Sequence, residues 1–118
     1  MAAVPRLDLV HKAICAGTLG HIEWKDAAAR LVRDNPEMNG LSPEGVRALL
    51  WEYVRLNRGI LSLLNETRAE ILTDDPDDPF WYRVVFPVPD FPKELFVEVK
   101  LIDDDEHDPW VRIVSCHF

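Results

Sequence analysis

The hydrophobic period of this 118-residue chain changes once, near residue 67, and that change limits the fold more than any other feature. Before it, apolar side chains recur every three or four residues, as one face of a helix requires. After it, short β-branched and aromatic runs alternate with Asp/Pro segments, as strands and turns do. Leu7, Val10 and Ile14 mark a first helix over about 7–16, with Gly17 as its C-cap. Beyond the Gly17–Gly20 turn, Ile22, Ala27, Ala28, Leu31 and Val32 mark a second helix that ends at Asn35-Pro36, where proline forbids continuation. Ser42 can cap a third, Pro43 suits its first position, and Val46, Leu49, Leu50, Tyr53 and Val54 line one face as far as Gly59. Ile60, Leu61, Leu63 and Leu64 read as a hydrophobic strap laid on the core.

In the second half, residues 68–73, 80–86, 94–102 and 110–117 read as the four strands of an antiparallel meander. Leu95, Val97, Val99 and Leu101 alternate with Phe96, Glu98 and Lys100, so one sheet face is apolar and the other polar. The expected architecture is α+β: about three N-terminal helices packed on one face of that four-stranded sheet. Residues 1–118 form a single domain, with a helical half 1–66 and a sheet half 67–118. The opposite sheet face, carrying Glu98 and Lys100, is expected to stay open.

The formal charge of −8 is unevenly placed. Residues 1–66 hold eight basic and eight acidic side chains, whereas 67–118 hold five basic against 13 acidic. Nine of those 13 lie in two runs, 74–78 and 103–108. In a meander these are the first and third turns, at the same end of the sheet, so the chain is expected to be electrostatically two-ended. A uniformly acidic surface would argue against RNA, since nucleic-acid binders gain affinity by releasing phosphate counterions with Lys and Arg. A localised charge leaves the rest of the surface balanced. Neither run has the glycine or the ligand spacing of a calcium loop, so both read as solvated turns that guard sheet edges or dock a basic partner.

No stretch approaches the length of a membrane span, and Asp8, His11 and Lys12 interrupt the apolar N-terminal segment, so the expectation is a cytoplasmic chain with no membrane contact. Cys15 and Cys116 stand far apart, without metal-ligand or redox spacing, and read as two buried thiols. No phosphate-binding loop is present, and no cofactor is expected.

Chemistry is concentrated on the polar sheet face. Glu98, Lys100 and Phe96 lie there, neighbouring strands can add Tyr82, Arg83 and Arg112, and His117 closes the last strand. A carboxylate, a histidine and arginines on one surface supply what RNA cleavage without a metal needs: groups that move a proton from the 2′-hydroxyl and to the leaving oxygen, and a cation for the charge on phosphorus. Strict alternation puts Arg112 and His117 on opposite faces, so a bulge is required to bring both into one site. Simple cross-strand ion pairs are the competing account of the same residues. Ser115-Cys116-His117 cannot form a triad, because neighbours along a strand face opposite ways.

The stretches KELFVEVKLIDDDEHDPWVRIVSCHF, LDLVHKAICAG and SPEGVRALLWEYVRL resemble the motility quorum-sensing regulator (MqsR-like) toxins, mRNA interferases of the RelE-like fold group. The resemblance implies the toxin of a bacterial toxin–antitoxin system, a metal-independent endoribonuclease with RNA as substrate and an antitoxin as partner. On that resemblance Phe96 stands where the family has a tyrosine, His117 where it has a lysine, and Tyr82 at its polar position after a tryptophan. The alternative is a non-catalytic acidic module whose runs 74–78 and 103–108 bind a basic protein; a weaker option is an acidic inhibitor that mimics nucleic-acid charge.

Overall fold

A computed structural model of the chain describes residues 6–38, 40–56, 60–65 and 80–118, with 60–65, 80 and 81 described by their backbone only. The elements run α1 (Leu7–Cys15), β1 (Ile22–Trp24), α2 (Asp26–Asp34), a 3-10 turn (Pro36–Met38), α3 (Pro43–Arg55), β2 (Ile60–Asn65), β3 (Phe80–Pro87), β4 (Glu94–Asp103) and β5 (Trp110–His117). The fold is α+β, with three α-helices and one mixed sheet among the described residues.

That sheet is not a four-stranded antiparallel meander. Among the described residues it has five strands in the order β1-β5-β4-β3-β2, and β1 runs parallel to β5. Two of its strands come from the half read as helical. Residues 22–24 pair with Val111, Arg112 and Ile113 instead of opening the second helix, which begins at Asp26. Residues 60–65 form no strap but a strand antiparallel to β3, with Ser62 opposite Arg83. A three-residue strand is too short to show a period, and an unalternated apolar run fits a strand as well as a strap. The expected strand 68–73 lies outside the described residues.

The start of α3 and the end of α1 follow their local signals, while α3 ends at Arg55, short of Gly59. Ser42 Oγ accepts from the Gly45 N–H at 3.0 Å and Pro43 occupies the first turn of α3. Gly17, just past α1, adopts φ +47°. Val10, Ala13 and Ile14 of α1, Val32 of α2 and Val46, Leu50 and Val54 of α3 form one core with Val84 and Phe86 of β3, Leu95, Val97 and Val99 of β4 and Val111 and Ile113 of β5. Leu31, placed by spacing on the inner face of α2, is exposed.

The turn between α1 and β1 fixes where β1 enters the sheet. Arg47 of α3 donates from Nε to the Leu19 carbonyl at 3.1 Å and from Nη2 to the Gly20 carbonyl at 3.0 Å. Gly20 has φ +75°, and a Cβ there would stand 2.3 Å from the main-chain oxygen of Ile14. Both conformation and space therefore demand glycine. Gly20→Ala is expected to lower the unfolding free energy by about 2–3 kcal/mol, read as an earlier urea midpoint at unchanged slope.

The acidic run 103–108 forms the β4–β5 turn and is exposed, while 74–78 lies outside the described residues. Its charges are partly answered within the chain. Arg6 Nη2 contacts Glu106 Oε1 at 3.3 Å, Lys12 Nζ donates to the Glu106 carbonyl, and His21 Nδ1 lies 3.0 Å from Asp108 Oδ1 while its ring stacks on Trp110. Arg6 also pairs with Asp8 and holds that carboxyl below its ordinary value.

Candidate functional site

The register of β4 against β5 settles which side chains can meet. Glu98 stands opposite Ser115, but Val99 stands opposite Ile113, so Val114 is an extra residue in β5 and the ladder carries a bulge. The bulge removes the obstacle that alternation raised. Arg112 is opposite Lys100, Ser115 opposite Glu98 and His117 opposite Phe96, all on one face. On the other side of β4, Arg83 stands opposite Glu98.

Glu98 is the centre of this arrangement. One carboxylate oxygen, Oε2, lies 3.4 Å from Arg83 Nη2, and the other, Oε1, lies 3.6 Å from His117 Nε2. Phe96 sits between the two bases. Its ring stacks on the His117 imidazole with centroids 5.4 Å apart and planes 10° apart, and the Arg83 guanidinium lies 5.5 Å from its centroid. Accessibility is graded. The Glu98 side chain is 1% exposed, whereas those of Arg83 and His117 are 33% and 51% exposed. Arg83 Nε is buried with no hydrogen-bond partner among the described residues, leaving a desolvated donor beside the carboxylate.

The other candidates separate from this cluster. The face is not open at its middle: Lys100, like Glu98, is almost wholly buried, on a central strand with long side chains rising from both neighbours. Arg112 is committed elsewhere, donating from Nε to Glu23 Oε1 at 2.8 Å, with Nη2 at 2.6 Å from the same oxygen. Glu23 is in register with it on β1, so it could be found only once β1 was known to be a strand. Tyr82 leaves the site altogether. It is buried in the core on the opposite face from Arg83, its hydroxyl accepting the Arg6 main-chain N–H at 2.9 Å. Alternation along β3 allows only one of two consecutive residues on a face.

The arrangement can hold an anion against Arg83 and exchange a proton at His117, with Glu98 fixing both from beneath. Glu98 itself is too deeply buried to touch a bound molecule, so any part it has is to position its neighbours. Among the described residues no three His, Cys, Asp or Glu side chains are placed to hold one metal ion.

The cysteines stand apart from this chemistry. Both are half-buried rather than fully buried. Burial pushes the Cys116 thiol up to about 12 and also raises that of Cys15, against the opposing charge of Arg55. A raised pKa keeps both as thiols at neutral pH, and only the thiolate reacts. Iodoacetamide at pH 7.5 is therefore expected to label the native protein much more slowly than the same chain in urea. Equal rates would mean the thiols are exposed.

Among the described residues no helix is long and apolar enough to cross a membrane. Comparison with family models, curated proteins and solved structures yields no match to the chain.

Proposed function

We propose that the protein is a bacterial ribonuclease toxin that cleaves RNA in the cytoplasm without a metal, using His117 and Arg83 on the platform of Glu98 and Phe96. The observation that carries this reading is the Glu98 carboxylate, shared between a half-exposed imidazole and a partly exposed guanidinium. In this mechanism Glu98 fixes the His117 ring through Nε2, which leaves Nδ1 to take the 2′-hydroxyl proton. The 2′-oxygen then attacks phosphorus and the bond from phosphorus to the 5′-oxygen breaks. That oxygen takes a proton from water, the hydroxide so formed takes the proton held on His117, and the products are a 2′,3′-cyclic phosphate and a 5′-hydroxyl. Arg83 neutralises the charge that grows on the phosphoryl oxygens. Arg112 and Lys100, directed to other roles by Glu23 and by burial, contribute positive potential and make no contact with the reacting atoms.

The partner in this reading is an antitoxin with a basic surface that meets the exposed carboxylates of the 103–108 turn. Expression in bacteria from a tightly controlled promoter tests the proposal. The native chain is expected to arrest growth with RNA breakdown, and His117→Ala and Glu98→Ala to relieve the arrest. A native chain that is harmless, or that captures a basic protein and leaves RNA intact, would mean a binding module instead.

A further inference from the structure

We propose that Phe118 and Phe91 form an aromatic latch that positions His117; its bearing on catalysis rests on the reading of His117 as the proton-transferring group. The topology creates the need for it. β1 bonds β5 only at Val111, Arg112 and Ile113, and beyond the bulge Ser115, Cys116 and His117 pair with β4 alone among the described residues. His117 is thus the last residue of a strand segment with one ladder, interrupted two pairs earlier. Such an end opens readily unless side chains hold it.

Phe118 supplies the hold. Its ring stacks on Phe91 of the β3–β4 turn with centroids 4.9 Å apart and planes 13° apart, and both rings pack half-buried against the core. Phe91 is itself fixed, because its N–H donates to the Val88 carbonyl at 3.1 Å across a turn in which Asp90 takes φ +70°. His117 therefore lies between two stacks, its own on Phe96 and that of the next residue on Phe91. The main-chain oxygen of Phe118 lies 3.3 Å from His117 Nδ1, the nitrogen that Glu98 leaves free. Holding Phe118 keeps that oxygen beside the His117 ring and so fixes how the ring is presented. Phe91 and Phe118 are positioning residues and touch no substrate.

The test compares the native protein with Phe118→Ala, Phe91→Ala and Phe118→Tyr by NMR of the His117 ring protons and by steady-state cleavage of RNA. Both alanine variants are expected to shift or broaden the His117 signals away from the positions set by the Phe96 ring. They should also lower kcat by about 3- to 10-fold, the worth of one aromatic stack, at unchanged KM. Phe118→Tyr, which keeps the stack, should retain native spectra and rate. His117 signals that stay at their native positions in both alanine variants would overturn the latch, whatever the activity. The NMR result stands apart from the functional reading: a native protein that leaves RNA intact refutes the ribonuclease, while the spectra still decide whether the latch holds His117.

Discussion

Purified His117→Ala protein is expected to cleave RNA ~10²–10⁴-fold more slowly than the native chain, the usual worth of one positioned acid–base group. The size of the effect follows from the site's construction. Among the described residues, His117 is the one imidazole in contact with the Glu98 carboxylate, and it is half-exposed. Glu98 is sealed from substrate, and Arg83 serves in the proposed mechanism as the cation for the phosphate. No described neighbour can therefore take over the transfer. Because the imidazole lies at a strand end, its removal leaves the core intact, and the urea midpoint should move little. Unchanged cleavage by folded His117→Ala would remove the base from the mechanism.

Glu98→Ala should do more damage, because it strikes folding and chemistry together. The carboxylate is almost wholly buried, and its loss leaves Arg83 with neither an Nη2 partner nor an Nε partner beside a new cavity. Stranding that partly buried donor group costs about 1–3 kcal/mol in stability. The same change frees the His117 ring, so activity should fall about as far as in His117→Ala. Glu98→Gln separates the two effects. It fills the space and can still accept from Arg83, so stability should largely return while the charge that steadies His117 does not. A Glu98→Gln protein with native activity would show that the carboxylate has only a packing role.

Some of this site was legible in the sequence, and the rest depends on pairing that no local pattern carries. The alternation of Phe96, Glu98 and Lys100 with Leu95, Val97, Val99 and Leu101 marks which face of β4 lies on the core, since a half-polar strand has only one way to lie there. It does not reveal that Glu98 and Lys100 are buried there, because burial depends on what flanks a strand. The bulge at Val114 is invisible in WVRIVSCH: an extra residue leaves no mark on composition and shows only in the register against β4. β1 escapes detection for a similar reason. Its three residues pair in parallel with a strand almost ninety positions later, so tertiary contact and not local propensity makes them a strand. Phe96 reads from sequence as a residue that cannot move a proton, yet in the fold it stacks against both His117 and Arg83. Tyr82 shows the converse. A hydroxyl beside Arg83 in sequence lies across the sheet from it in space, where it accepts the Arg6 N–H.

The central claim is that His117, steadied by Glu98, moves the proton in RNA cleavage. Incubating purified native protein with end-labelled RNA in excess EDTA, and analysing the termini produced, tests it most directly. Fragments ending in 2′,3′-cyclic phosphate and beginning with 5′-hydroxyl are expected, formed in EDTA and lost with His117→Ala. Intact RNA, 5′-phosphate ends, or cleavage that survives His117→Ala would contradict it.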